Sequence, residues 1–192
     1  MFMKTALAIV FFILLISIAT PISAATFKGK VVDANTKDPI EGAVVVAEWT
    51  EETATPTATH SRLKDVKEVL TDKKGEWVIK GPRGRKGGNI TAIFTFLTGT
   101  YYTKRPQFTI FKPGYCPCPL VVGIKVCKER MKPFSIDGEG ETLELPKLTN
   151  REDRLKSLVG PVAGEGALEK QKEFLRKINE ERRNLGLKEA YY

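Results

Sequence analysis

Histidine is all but missing from this chain: His60 is the one histidine among 192 residues. Its scarcity removes the commonest metal ligand and leaves any imidazole chemistry to a single side chain in a Thr-rich stretch. Cysteine is scarce as well, with Cys116, Cys118 and Cys127 the whole complement. Cys-Pro-Cys followed by a third Cys nine positions later is not a zinc spacing, so no metal site and no cofactor are expected. A soft-metal set of these thiols with His60 is the remaining metal alternative by ligand type. After residue 24 the chain lacks an uncharged run long enough to span a bilayer. It also lacks internal repeats and any nucleic-acid-binding motif.

What is present begins at the N-terminus. Met1 to Lys4 carries one positive charge, Thr5 to Ile18 has none, and Ala19 to Ala24 consists mostly of small residues around Pro21. This order of basic, apolar and small-residue regions is that of a secretory signal. As a helix, Thr5 to Ile18 would span only about 21 Å, short of a ~30 Å hydrocarbon core. Residues 1–24 are therefore expected to be a signal peptide cleaved after Ala24 or Ala25, with retention as an anchor the alternative. The expected location is periplasmic or secreted.

The remainder carries a cationic excess, the whole chain having a formal net charge of +8. Such a surplus suits anionic surfaces. The three cysteines lie close in sequence, and an oxidising compartment favours one disulfide with one thiol left over. Cys127 is expected to pair with either Cys116 or Cys118. Either loop would stabilise the fold by roughly 2–3 kcal/mol.

From Thr26 onward the patterning is that of strands. Phe27 to Asp33, Ala43 to Trp49, Glu68 to Thr71, Glu76 to Lys80, Ile90 to Leu97, Pro106 to Phe111, Leu120 to Val126 and Thr142 to Leu145 are apolar or alternating segments. Turn signals separate them. Asp72-Lys73-Lys74-Gly75 suits a type I hairpin, and Lys112-Pro113-Gly114-Tyr115 a Pro-Gly turn. Thr50 to about Lys67 is expected to be an exposed loop. The four glycines and one proline of Gly81 to Asn89 exclude regular structure. Seven or eight short strands in about 120 residues imply an all-β fold, an antiparallel Ig-like or transthyretin-like sandwich.

A different texture begins at Pro146. Thr149 and Glu152 have capping-box spacing ahead of a short helix to about Leu158. Ala167 to Leu185 then has the periodicity of one amphipathic helix, with Leu168, Gln171, Leu175, Ile178 and Leu185 along a stripe and Phe174 beside it. Residues 25–147 are thus expected to form the sandwich and 148–192 a helical tail. The tail is expected to be separable and to offer an association surface, packing on the sandwich or on a partner.

Three stretches, in order, resemble the carboxypeptidase regulatory-like domain, a transthyretin-like β-sandwich. They are Gly29 to Val45 (GKVVDANTKDPIEGAVV), Thr71 to Ile79 (TDKKGEWVI) and Phe111 to Tyr115 (FKPGY). The resemblance covers residues 27 to about 147 and implies an accessory, binding or structural module. A urate-pathway hydrolase of the wider transthyretin-like group uses several histidines and a C-terminal Tyr-Arg-Gly-Ser run. This chain ends Glu189-Ala190-Tyr191-Tyr192, without that run.

Binding residues are chosen by chemistry. Arg83, Arg85 and Lys86 form the densest basic cluster, on a Gly-rich loop suited to phosphates or acidic sugars. The adjacent Tyr101 and Tyr102 offer aromatic faces for a sugar. Asp33, Asn35 and Asp38 hold oxygens at a spacing that turn formation explains better than calcium. No catalytic residues are expected, and a Cys–His pair with His60 has no feature to assemble it. The expectation is an exported module without enzymatic activity that binds a protein, an envelope component or an anionic surface. A carbohydrate- or metal-binding role is the alternative.

Overall fold

The structure is a computed structural model that describes residues 24–55, 57–119, 123–131 and 140–191. The expected export signal, Thr5 to Ile18 included, lies outside the described residues. Seven strands form two sheets that face each other as a β-sandwich, with helices at one end and along one outer face.

The first sheet is built on β1 (Ala24–Asp33), whose alternating burial follows its alternating sequence. It pairs antiparallel with β4 (Glu76–Pro82), from Ala24 opposite Pro82 to Lys30 opposite Glu76. Its later half pairs with β7 (Glu141–Leu145), and this ladder is parallel, an exception to the expected antiparallel pattern. The tight turn Asp72–Gly75 forms, with the Gly75 N–H donating to the Asp72 carbonyl at 2.9 Å. It is not the expected hairpin, because the strands it joins, β3 (Thr59–Leu70) and β4, pair in different sheets and the chain crosses between them. Gly75 has φ +74, and a Cβ there would lie 2.3 Å from the Val31 carbonyl oxygen. Only glycine satisfies both conditions.

The second sheet is built on β2 (Val44–Ala54). One edge pairs with β3 (Thr59–Leu70), the other with β6 (Gln107–Phe111) and then β5 (Tyr102–Thr103). Val45, Ala47 and Trp49 of β2 face the inter-sheet core with Phe27, Val31, Trp77, Ile79 and Leu145. Val44 and Val46 face the other way, into a second core with Val66, Phe111, Phe174, Leu175 and Ile178. The run AVVVAEW is apolar but for Glu48 because both faces of β2 are covered.

Several expected elements change. The loop expected over residues 50–67 is a paired ribbon, in which β2 continues to Ala54 and β3 starts at Thr59, with a register shift at Trp49/Thr50. Its polarity reflects exposure beyond the core, whereas its threonines are good strand formers. Ile90 to Leu97, expected as a strand, lies in helix α1 (Asn89–Thr98), which ends where Gly99 at φ 64 donates to the Thr95 carbonyl. Strand propensity loses there to a surface position where the backbone must pair with itself. The strand expected at Leu120 to Val126 is replaced at its end by helix α2 (Lys125–Arg130), which buries Cys127. Residues 120–122 lie outside the described residues.

The tail helix breaks in two. Helix α3 (Arg151–Lys156) is capped by Asn150, whose side chain accepts from the Glu152 N–H, and not by Thr149. A 3-10 turn (Glu165–Lys170) precedes α4 (Lys172–Asn184). Gln171, expected on the apolar stripe, is the joint. It is fully buried, accepting from the Val162 N–H and donating to the Gly164 carbonyl. Leu168, Leu175 and Ile178 of the stripe pack on the sheet, with Phe174 edge-on to Phe111 at 6.1 Å. Burying Phe174, Leu175 and Ile178 contributes roughly 5–9 kcal/mol before ordering costs, at ~1.5–3 kcal/mol each. The surface expected to recruit a partner is therefore covered by the chain's own sandwich.

Polar groups hold the tail in place. The Glu68 carboxylate of β3 accepts from the N–H groups of Glu173 and Phe174 at 2.8 and 2.9 Å, capping α4 from another element. Arg154 of α3 makes a two-pronged pair with the buried Glu181 of α4, both bonds 2.7 Å. Lys170 reaches Asp65 at 2.6 Å.

Candidate functional site

The basic loop and the tyrosines, separate in sequence, meet at one pole of the sandwich. After Pro82 the chain runs beside β5, where the Arg85 N–H donates to the Thr103 carbonyl at 2.9 Å and Arg85 forms a bridge with Lys104. The glycines permit this approach. A Cβ on Gly84, which has φ +69, would lie 2.1 Å from the Lys104 carbonyl oxygen, and one on Gly87 would lie 2.5 Å from the Tyr102 hydroxyl. Arg83, Arg85 and Lys86 are exposed.

The two tyrosines have different roles. Tyr102 is half-buried and donates its hydroxyl to Glu52 at 2.9 Å. Burial, then that bond, raises its pKa. Tyr101 is exposed, with the Arg62 guanidinium 4.1 Å above its ring. One face of Tyr101 is thus occupied and the Tyr102 hydroxyl engaged, so they do not form a paired platform for a sugar.

Beneath them the β2–β3 ribbon carries an ordered set of ion pairs. Lys64 and Arg62 bind Glu51, each at 2.8 Å. Lys104, at 2.8 Å, and Ser61 bind Glu52 beside Tyr102. Hydrogen bonding from Lys64 and Arg62 holds the Glu51 carboxyl below the ordinary range. Lys104 does the same for Glu52. The acidic residues of this pole are therefore matched within the ribbon. Among the described residues, the side chains of Arg83, Arg85 and Lys86 enter no ion pair.

Helix α1 completes the pole and was missed by sequence reasoning. Ile90, Ile93, Phe94 and Leu97 occupy one stripe at i, i+3, i+4 and i+7, and their exposures are 86%, 59%, 62% and 74%. The opposite side presents Thr95, 1% exposed, which accepts from the Ala54 N–H at 3.2 Å. The helix is inverted, with its polar side toward the protein and its apolar side outward. The helical spacing, and the Gly-Gly before and Gly after the run, were legible signals.

The other candidates disperse. Cys116 and Cys127 form the disulfide, which chooses between the expected pairings and removes two thiols from any soft-metal set. Cys118 is the buried free thiol, its pKa pushed up to about 11 by burial. It stays a thiol at neutral pH. His60 sits opposite Thr53 near the ribbon tip, whereas Cys118 bridges Ile110, which pairs with Val45. Those β2 positions are eight steps apart, about 26 Å at ~3.3 Å per residue, so no Cys–His pair forms. Burial pushes the Asp33 carboxyl up, but hydrogen bonds from the Asn35 and Thr36 N–H groups and from Tyr115, with the nearby positive charge of Lys147, outweigh it and its pKa is lowered. The Asn35 side-chain oxygen accepts from Arg130 at 2.9 Å, so this loop is a closed turn. A shallow cavity of about 440 Å³ lies on the tail, between α4 and Tyr191.

No family model and no curated protein matches the chain. Among solved structures it is similar to 3-chlorocatechol 1,2-dioxygenase from Rhodococcus opacus 1CP, at 12% identity, TM-score 0.33, over 68% of this chain and 62% of that one. It is also similar to catechol 1,2-dioxygenase from Pseudomonas arvilla C-1, at 16% identity, TM-score 0.39, over 77% of this chain and 60% of that one. Both are enzymes, and on that finding the expectation of a chain without enzymatic activity is corrected. Sandwich scaffolds carry catalytic and other sites alike, and likenesses of this strength assign no activity here.

Proposed function

We propose that this chain is an exported β-sandwich module acting in protein or cell-envelope interaction, with the pole around residues 83–105 as its contact surface. The carrying observation is the inverted helix α1, whose stripe of Ile90, Ile93, Phe94 and Leu97 faces outward beside a basic loop, with Phe96 exposed as well. Contiguous exposed apolar area of this kind marks interaction sites. The tail stripe cannot serve, because the sandwich covers it. The disulfide and the signal-like N-terminal sequence support export. The resemblance to the carboxypeptidase regulatory-like domain supports an accessory role for the scaffold.

Fractionating cells that export the protein tests this reading. Native protein is expected to be retained with the envelope fraction. A Phe94→Ser/Leu97→Ser variant should lose most of that retention, while Lys172→Gln/Arg176→Gln on the tail should keep it. Equal retention of all three would overturn the assignment of the pole.

A further inference from the structure

The contact pole combines two features that call for different solvents. The stripe Ile90, Ile93, Phe94 and Leu97 is apolar, and α1 (Asn89–Thr98) contains no charged residue at all. Residues 81–106 hold Arg83, Arg85, Lys86, Lys104 and Arg105, and neither Asp nor Glu. The stripe is a convex ridge, so a partner must supply the apolar medium around it. A second copy meeting the same face would bring two basic loops together, at a repulsive cost. A bilayer carrying anionic headgroups supplies both media within a few ångströms, hydrocarbon for the stripe and phosphates for the loop. Tyr101, with Arg62 stacked on its ring, suits the interface between them.

The course of the chain supports the same orientation. Ala24, the first residue of β1, pairs with Pro82, the residue immediately before Arg83. The described chain thus begins at the end of the sheet from which the basic loop departs. Helix α1 begins seven residues beyond Pro82.

From this juxtaposition we infer that α1 and the Arg83–Lys86 loop form a peripheral docking site for anionic lipid bilayers, in which the α1 stripe enters the headgroup and acyl boundary and the loop binds lipid phosphates. This deepens the proposed function by naming the partner of the same pole, and it rests on that reading.

The test uses the protein as the cell releases it, carrying Phe94→Trp as a reporter, with phosphatidylcholine vesicles and with vesicles holding phosphatidylglycerol. The reporter emission is expected to shift to the blue and to be quenched by brominated acyl chains only when phosphatidylglycerol is present. Arg83→Gln/Arg85→Gln/Lys86→Gln should weaken vesicle binding on the order of 100-fold at low salt, from roughly fivefold per cation. Ile93→Ser/Leu97→Ser should weaken it at least about tenfold. Far-UV circular dichroism and the melting temperature of each variant establish that the fold persists. An unchanged reporter with anionic vesicles overturns the inference, as does a dimer in sedimentation that buries the reporter. If vesicles fail while envelope retention still depends on Phe94 and Leu97, the partner is a protein and the proposed function stands. If both fail, both readings fall.

Discussion

Glu68 illustrates how far a single residue's role extends beyond its own strand. It lies on β3 opposite Val46, yet its two oxygens accept the N–H groups of Glu173 and Phe174. A helix N-terminus leaves such donors unsatisfied, and a carboxylate there also meets the positive end of the helix dipole. Glu68→Ala is expected to cost about 1–3 kcal/mol in urea denaturation, with Glu68→Gln losing less because it keeps an acceptor oxygen. An unchanged midpoint for both variants would show that water replaces the cap. The same residue marks where sequence reading stops. Its place in a strand was legible from Glu68 to Thr71, whereas its partner lies about 105 positions onward and no local pattern announces the pairing.

Among the elements, the β2–β3 ribbon is the one most dependent on charge. Glu51 and Glu52 both have lowered pKa values, the first through Lys64 and Arg62 and the second through Lys104. A carboxyl with a lowered folded pKa holds protons more weakly folded than unfolded. Its stabilising contribution is complete above the ordinary glutamate value of 4.5 and is lost as pH falls through the folded value. Amide protection of residues 51–54 and 59–63 is expected to fall below pH 4.5 before that of β1 and β4, by hydrogen–deuterium exchange. Glu51→Gln/Glu52→Gln should remove this pH dependence. Other elements show what the chain made legible. β1, β4, β6 and β7 follow alternation or turn chemistry, and Asp72 with Gly75 sets a tight turn as expected, although it links the two sheets instead of closing a hairpin. The ribbon was hidden because polar strands outside a core resemble loops. Helix α1 was hidden because Ile, Thr and Phe favour strands, and the candidate pole was seen only in its basic half and its tyrosines. The apolar half of this proposed contact surface depended on recognising an amphipathic helix turned outward.

For the molecule as a whole, the decisive feature is β2, which has one core on each side. The inter-sheet core takes Val45, Ala47 and Trp49, and the tail core takes Val44 and Val46. Two cores that share a wall do not melt as independent bodies. Undoing the tail bares one face of β2 to water, and undoing the sandwich removes the surface on which the tail lies. The protein should therefore behave as one cooperative unit, with a single heat-absorption peak whose calorimetric and van't Hoff enthalpies agree. Phe174→Ala, which empties the tail core at an expected cost of about 3–5 kcal/mol, should move that peak to lower temperature without dividing it. Two separate peaks would mean that the cores are energetically independent despite their common strand. Cooperativity of this kind also makes the tail an internal reporter on the sandwich, since whatever loosens β2 must release α4 in the same step.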